Sequence, residues 1–244
     1  MELCSLHPVS DTLAAAYVQQ LKLDSMHFPG QSDAGGSEIR GRESIGSNGI
    51  PRAGLDDRQL QQVGFGLAQF LALEHPTFAG QGLALTSWEA RVDRGIAMLV
   101  RPPSRLFADA GLPVQIARRI PIRLDLGEGM MGGGYIPARL MPQAQEMVYR
   151  NIKRSVRRMI DAEMNATTLQ ALMMEAVDYA AASHLGLFEA VGLVDFSDPA
   201  TWPPGSQVHN RPSDKGILQL VADAARPDPK PSRISRLFNR LNHD

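Results

Sequence analysis

The first segment whose composition suggests chemistry is a glycine-rich stretch after residue 126. Its glycines follow a G-x-G-x-x-G pattern and then continue; they are Gly127, Gly129, Gly132, Gly133 and Gly134. A dinucleotide fingerprint needs a helix to begin at the last glycine of the pattern, so that free backbone N–H groups meet the pyrophosphate. Here a proline-containing extended segment follows, which favours a flexible hairpin tip. In a functional version, these glycines form a mobile flap that carries Met130 and Met131 as soft contacts.

Two carboxylates, Asp125 and Glu128, flank the start of this stretch. Paired carboxylates bind divalent metals or transfer protons, but no third ligand stands at a suitable spacing. Arg123 and Arg139 are close to them on the strands expected here, so cross-strand ion pairing is the simpler interpretation. The sequence therefore predicts no metal site and no cofactor.

Histidine and cysteine patterns point to no catalytic centre either. The six histidines are scattered, and the single cysteine, Cys4, excludes a Cys-based zinc site. His184 is expected on the apolar side of its helix, where a buried histidine with one hydrogen bond is commoner than a ligand or a base. Nothing resembles the G-x-S-x-G motif, although a triad assembled from distant positions stays open. We predict no catalytic residue and lean against an enzyme.

A basic stripe lies on the most periodic segment, Met141–Met164, which predicts one long helix. Its apolar side holds Ala144, Val148, Ile152, Val156, Met159 and Ile160. Its other side holds Arg150, Lys153, Arg154, Arg157 and Arg158. Acidic protein surfaces and phosphate backbones are natural partners of such a row. Tyr149 is the only aromatic residue beside it, so single-strand binding with base stacking has little support.

Residues 165–210 contain no lysine or arginine. Their acidic residues are Glu175, Asp178, Glu189, Asp195 and Asp198. A basic helix followed by an acidic region suggests mutual neutralisation, within one chain or between subunits. A solvated basic face and nucleic-acid binding are the alternatives, in that order.

The carboxyl-terminal segment resembles a tethered docking peptide. Residues 227–231 alternate proline with other residues, which makes a stiff extended spacer. Residues 232–242 then form an amphipathic pattern whose apolar set is Ile234, Leu237, Phe238 and Leu241. This tail is predicted to dock in a groove of another protein or on an anionic membrane surface.

The remaining pattern predicts an α+β fold in which a small antiparallel sheet, about 83–141, is packed by helices. Helices are expected at 11–23, 56–74, 104–110 and 214–225, with Ser213 capping the last. An αα-hairpin is expected at 142–194, its second helix capped by Asn165. Strands are expected at 114–126 and 135–141. Residues 83–100 fit either a helix or a hairpin that ends in the strand Ile96–Val100, and we favour the hairpin.

Three regions follow from composition. Residues 1–54 are expected to form a detachable helical arm with a glycine- and serine-rich linker, 55–226 the core domain, and 227–244 the tail.

The chain has 244 residues, of which 43% are hydrophobic, and a formal net charge of −1. This balance does not suggest a protein that coats nucleic acid along its whole length. We find no secretory signal and no membrane-spanning run, and expect a cytoplasmic protein.

The predicted function is a non-catalytic, oligomeric assembly or scaffold protein whose terminal arms dock on neighbouring subunits or a larger complex. The first alternative is a domain or enzyme for a phosphate-bearing ligand such as a nucleotide, with a pocket lined by Arg123, Arg139 and Arg150. The second alternative is nucleic-acid binding through the basic helix face.

Overall fold

A five-stranded mixed sheet brings together distant segments of the chain. The computed structural model describes residues 3–22, 57–85, 94–120, 131–193 and 202–227. Its strands are β1 (Leu3–Val9), β2 (Thr77–Gln81), β3 (Met131–Ile136), β4 (Gly186–Val191) and β5 (Val208–His209). Their order across the sheet is β3-β4-β1-β2-β5, which places β1 at the centre. β5 runs parallel to β2, and the other neighbouring strands are antiparallel.

Helices cover both faces of this sheet. They are α1 (Asp11–Lys22), α2 (Asp57–Glu74), α3 (Arg94–Ala97), α4 (Pro103–Asp109), α5 (Val114–Ala117), α6 (Met141–Arg150), α7 (Ile152–Asp161), α8 (Ala166–Ala182) and α9 (Lys215–Ala225). A 3-10 helix spans Ala138–Leu140.

Alternation of side chains along the strands places most of the core in two large clusters. Leu6, Phe78 and Leu187 pack in one cluster with residues of α6, α7, α8 and α9. Val9, Ala79 and Phe188 pack in the other with residues of α1, α2 and α4. The architecture is therefore a sheet between two helical layers.

The predicted fold class, an α+β arrangement of a small sheet packed by helices, is confirmed. Helices α1, α2, α4 and α9 lie close to their predicted positions. Asn165 caps α8 as predicted, because its Oδ1 accepts a hydrogen bond from the Thr168 N–H at 3.2 Å. The cap of α9 is Asp214 and not Ser213: the Asp214 Oδ1 accepts from the Ile217 N–H at 2.9 Å.

The amino-terminal segment corrects the expectation of a detachable arm. β1 pairs with β2 and β4, and α1 packs into the core through Tyr17 and Val18. Residues 3–22 therefore belong to the core, while the predicted linker, 30–54, lies outside the described residues. β1 could not be recognised as a strand because Ser5 and His7, both polar, are buried in it.

The predicted antiparallel sheet at 83–141 is wrong in its strands, since β3 is the only strand among the described residues of that region. Within 83–100, residues 86–93 lie outside the described residues, and Arg94–Ala97 is helical where the strand Ile96–Val100 was expected. Ile96 and Leu99 are buried while Met98 is 73% exposed, a spacing of three that suits a helical turn.

The expected strand at 114–126 is also wrong where it is described. Val114–Ala117 is helical, and a turn continues to Ile120. Ala117 and Ile120 are both buried, again at a spacing of three. Residues 121–130 lie outside the described part. The strand predicted at 135–141 corresponds to β3. β3 begins four residues earlier, at Met131, and ends at Ile136.

The predicted long helix at 141–164 is two helices. Asn151 separates α6 from α7 with φ −98° and ψ 9°, outside the helical range. The second arm of the predicted αα-hairpin ends at Ala182, and Gly186–Val191 is the buried strand β4. His184 lies beyond the helix with φ 55° and is exposed, so it is not the buried histidine that we expected.

Candidate functional site

The basic face of the helical layer consists of Arg150, Lys153, Arg154, Arg157 and Arg158. Lys153, Arg154 and Arg157 are exposed on α7, whereas Arg158 is half-buried. Arg150 ends α6 and forms an ion pair with Glu146, with 3.1 Å between its Nη1 and the carboxylate Oε1. The structure therefore brings the predicted basic residues onto two consecutive helices.

The opposite side of α7 fixes this face to the core. Ile152, Val156 and Met159 are buried as predicted, together with Ser155. Ile160 was expected on the same side, but it is 50% exposed. The apolar stripe is narrower than predicted, and it leaves one large aliphatic side chain beside the basic face.

Two of the carboxylates that were expected to neutralise the basic face contact other groups, whereas Asp195 and Asp198 lie outside the described residues. Glu175 Oε1 accepts hydrogen bonds from the backbone N–H groups of Ser213 and Asp214, both at 2.7 Å, just before α9. Asp178 accepts from Gln145 Nε2 at 2.8 Å and from the Tyr149 hydroxyl at 2.5 Å. Glu175 and Asp178 thus join α8 to α9 and α6, which is a structural role.

Burial and the bond to Asp178 both raise the pKa of the Tyr149 hydroxyl. Burial removes the phenolate from water, and a carboxylate acceptor stabilises the protonated phenol. Tyr149 therefore stays neutral and donates to Asp178 throughout the physiological range. Tyr149, the aromatic residue that the sequence places beside the basic face, thus holds α6 against α8.

The predicted flap is also corrected for the glycines that the structure describes. Gly132, Gly133 and Gly134 lie in the edge strand β3, and Gly127 and Gly129 lie outside the described residues. A Cβ at Gly133 would lie 2.7 Å from Glu189 Cδ, closer than real contacts allow. The Gly134 N–H donates to Glu189 Oε2 at 3.4 Å. These glycines make room for a buried carboxylate on β4.

A buried polar cluster that sequence reasoning missed lies under α2 in the centre of the sheet. His7 Nε2 is 2.8 Å from Ser5 Oγ, and its Nδ1 is 3.3 Å from Thr77 Oγ1. The Ser5 hydroxyl donates to the Ala190 carbonyl at 3.5 Å, which leaves Ser5 Oγ as an acceptor for the His7 Nε2–H. The only available signal was the i, i+2 spacing of two polar residues in a short apolar strand.

This cluster does not have the properties of a nucleophilic dyad. Burial lowers the pKa of His7 to about 3, so the imidazole is neutral. Ser5, His7 and Thr77 are each at most 1% exposed. A serine nucleophile must reach substrate and give its proton to histidine, but here the Ser5 proton points to a backbone carbonyl. The cluster satisfies polar groups in the core.

Among the described residues, no group of three His, Cys, Asp or Glu side chains is placed to hold a metal ion. In the same part of the chain, no helix has the length and apolar character to cross a membrane. The tail residues Ile234, Leu237, Phe238 and Leu241 lie outside the described residues.

A cavity of about 360 Å³ adjoins the basic face. Its lining residues are Met98, Leu99, Arg101, Leu140, Gln143, Glu146, Met147 and Arg150. Of the three arginines predicted to line a phosphate pocket, Arg150 lines this cavity, Arg139 does not, and Arg123 lies outside the described residues. Arg101, which sequence reasoning did not single out, is the second arginine here.

Comparisons of this chain with models of protein families, with curated proteins and with solved structures give no match. The structure itself shows an α+β fold, in which a mixed sheet lies between two helical layers, with a basic face and an adjoining cavity.

Proposed function

We infer that this chain is a non-catalytic assembly protein that associates with further copies of itself, and that its basic face is the docking surface. The observation that carries the proposal is that two carboxylates expected to pair with the basic face make hydrogen bonds elsewhere in the chain. Glu175 and Asp178 are bound to groups of α6 and of the segment before α9. Lys153, Arg154 and Arg157 remain exposed, and we propose that carboxylates of another molecule pair with them.

A rigid presentation of these charges supports the same proposal. α7 is anchored through buried Val156 and Met159, so the exposed guanidinium groups leave a fixed helix and not a loop. Fixed charges lose less conformational freedom on docking than charges on a mobile segment. Arginine adds bidentate geometry toward carboxylates.

Charge balance favours a second copy as the partner. The chain has 26 acidic and 25 basic residues, so net repulsion between copies is slight. Exposed carboxylates such as Asp11, Glu74 and Glu163 lie on the described surface. They provide negative charge that one copy presents to the basic face of another.

The test reverses two charges at the centre of the basic face. Light scattering should show an oligomer for the native chain. The double variant Arg154→Glu with Arg157→Glu should have a dissociation constant at least about tenfold higher, since close charge pairs dominate such contacts. The matched control is Arg118→Glu with Arg211→Glu, two exposed arginines outside the face, which should leave the size unchanged.

A native chain that is monomeric at every protein concentration contradicts the proposal, and so does equal dissociation of the control. Nucleic-acid binding is the competing use of the same face. It predicts that a labelled duplex binds with an affinity that falls steeply with salt and is lost in the double variant. Such binding by a monomer would replace the assembly proposal.

A further inference from the structure

We propose that the cavity between the turn after α3 and helix α6 binds a small organic anion with a short apolar tail. This second site shares Arg150 with the basic face, while its other lining residues lie outside that face. Its volume of about 360 Å³ falls within the range of small-molecule sites, roughly 300–1,000 Å³. Its lining combines two guanidinium groups, one carboxylate and one amide with four large apolar side chains, so the lining keeps a net positive charge.

Arg101 is held in place before any ligand arrives. Its backbone N–H donates to the Tyr135 carbonyl at 2.7 Å and its carbonyl accepts from the Tyr135 N–H at 2.9 Å, which fixes it to the edge of the sheet. Its Nη1 donates to the carbonyls of Met98 at 2.6 Å and Val100 at 3.1 Å. The guanidinium is therefore oriented by its own chain, so little freedom is lost on binding.

The remaining donors of Arg101 define the anion. Its Nε and Nη2 groups make no hydrogen bond within the described residues, and together they carry three N–H donors. Such an array matches the two oxygens of a carboxylate or the oxygens of a phosphate. Arg150 supplies a second positive charge, and its ion pair with Glu146 is exposed, 61% and 68% for the two side chains. Exposed pairs are weak, so an arriving anion can displace this one.

The apolar lining residues favour a ligand whose anionic head group carries a hydrocarbon chain. Met98, Leu99, Leu140 and Met147 line the same cavity. Met98 is 73% exposed although it is large and apolar. Methionine side chains adapt to irregular apolar shapes, so Met98 and Met147 can close over a short hydrocarbon chain. The ligand class is thus a carboxylate or phosphate head group on an apolar body.

Hexanoate is the probe that tests this site, with hexanamide, acetate and inorganic phosphate as comparisons. In calorimetric titrations of the full chain, hexanoate should bind saturably with a millimolar Kd. Hexanamide lacks the charge, whereas acetate and phosphate lack the apolar chain, so each should bind at least about tenfold more weakly. Arg101→Met should weaken hexanoate binding by about tenfold or more, because a charge-assisted hydrogen bond is lost.

Arg105→Met is the matched control, since Arg105 is exposed, pairs with Asp109 and does not line the cavity. It should bind hexanoate as the native chain does, and so should the Arg154→Glu, Arg157→Glu variant that tests the docking face. Circular dichroism verifies that each variant folds. The proposal is overturned by the absence of saturable hexanoate binding, by equal binding of hexanoate and hexanamide, by phosphate binding as tightly as hexanoate, or by full affinity in Arg101→Met.

Discussion

His7 lies in the central strand with both ring nitrogens in contact with hydroxyl groups. Its pKa is lowered from the ordinary value of 6.5 to about 3, because burial penalises the charged imidazolium. In the unfolded chain the same side chain binds a proton at about pH 6.5. The unfolded state therefore takes up the proton first, and the stability that neutral His7 provides above pH 6.5 is lost progressively toward pH 3.

This linkage predicts acid sensitivity. We expect the free energy of unfolding to fall by about 2 kcal/mol between about pH 7 and about pH 5 from His7 alone. Urea denaturation at several pH values measures it. His7→Asn should be less stable but should lack this part of the pH dependence, whereas His184→Asn, at an exposed position, should retain it. An unchanged pH slope in His7→Asn would show that other groups cause the loss.

Gly133 tests the contact between β3 and the buried Glu189. Gly133→Ala should reduce stability by about 1–3 kcal/mol, because its Cβ meets the Glu189 side chain at 2.7 Å. In a Glu189→Ala background the same substitution should cost clearly less, since the obstructing atoms are gone. Thermal unfolding of the four variants of this cycle gives the coupling. Additive effects would mean that the glycine serves something other than space for Glu189.

At the scale of elements, the longer helices could be predicted better than the strands. α2, α8 and α9 bury residues at helical spacing, and Asn165 was recognisable as the cap of α8, which are local signals. All six residues of β4 are buried, and β1 is buried from Cys4 to Val9. A strand covered on both faces has no alternation to detect. β4 also begins four residues after the alanine-rich helix α8 ends. Its apolar residues therefore continued the helical pattern in the sequence, and the predicted helix ran on through β4.

The candidate site divides in the same way. The basic face followed from spacing along one helix, since buried Val156 and exposed Arg154 reflect the local period. The position of Arg101 beside Arg150 depends on pairing between Arg101 and Tyr135, a contact that no local pattern records. Likewise, the burial of Glu189 against the β3 glycines depends on the register between β3 and β4. No local pattern records this register, so the sequence analysis counted Glu189 with an acidic region.

Asn165 allows an element-scale test of α8, the helix that packs on β1, β2 and β4. Asn165→Ala should lower the free energy of unfolding by about 1 kcal/mol, because the Thr168 N–H loses its acceptor. Asn165→Asp keeps an acceptor and adds a favourable charge at the helix start, so it should be close to the native chain. Equal losses in both variants, measured by chemical denaturation, would contradict a capping role.

At the scale of the whole molecule, the amino-terminal segment is part of the sheet, so of the two docking arms predicted from the sequence only the tail, 227–244, is still a candidate. A chain that ends at Pro227 keeps every described residue. If the tail docks on a neighbouring copy, the truncated chain should form smaller particles in light scattering while its circular dichroism stays native in form. Unchanged particle size would assign assembly to the basic face alone.

Sedimentation velocity of the native chain over a range of salt concentrations tests the central claim most directly. Docking between charged surfaces weakens as salt screens them, with a Debye length that falls from about 10 Å at 0.1 M to about 3 Å at 1 M. We predict an oligomer at low salt that dissociates as salt rises, and that is already dissociated at low salt in the Arg154→Glu, Arg157→Glu variant. A monomer at low salt, or an oligomer indifferent to both salt and charge reversal, would contradict the account.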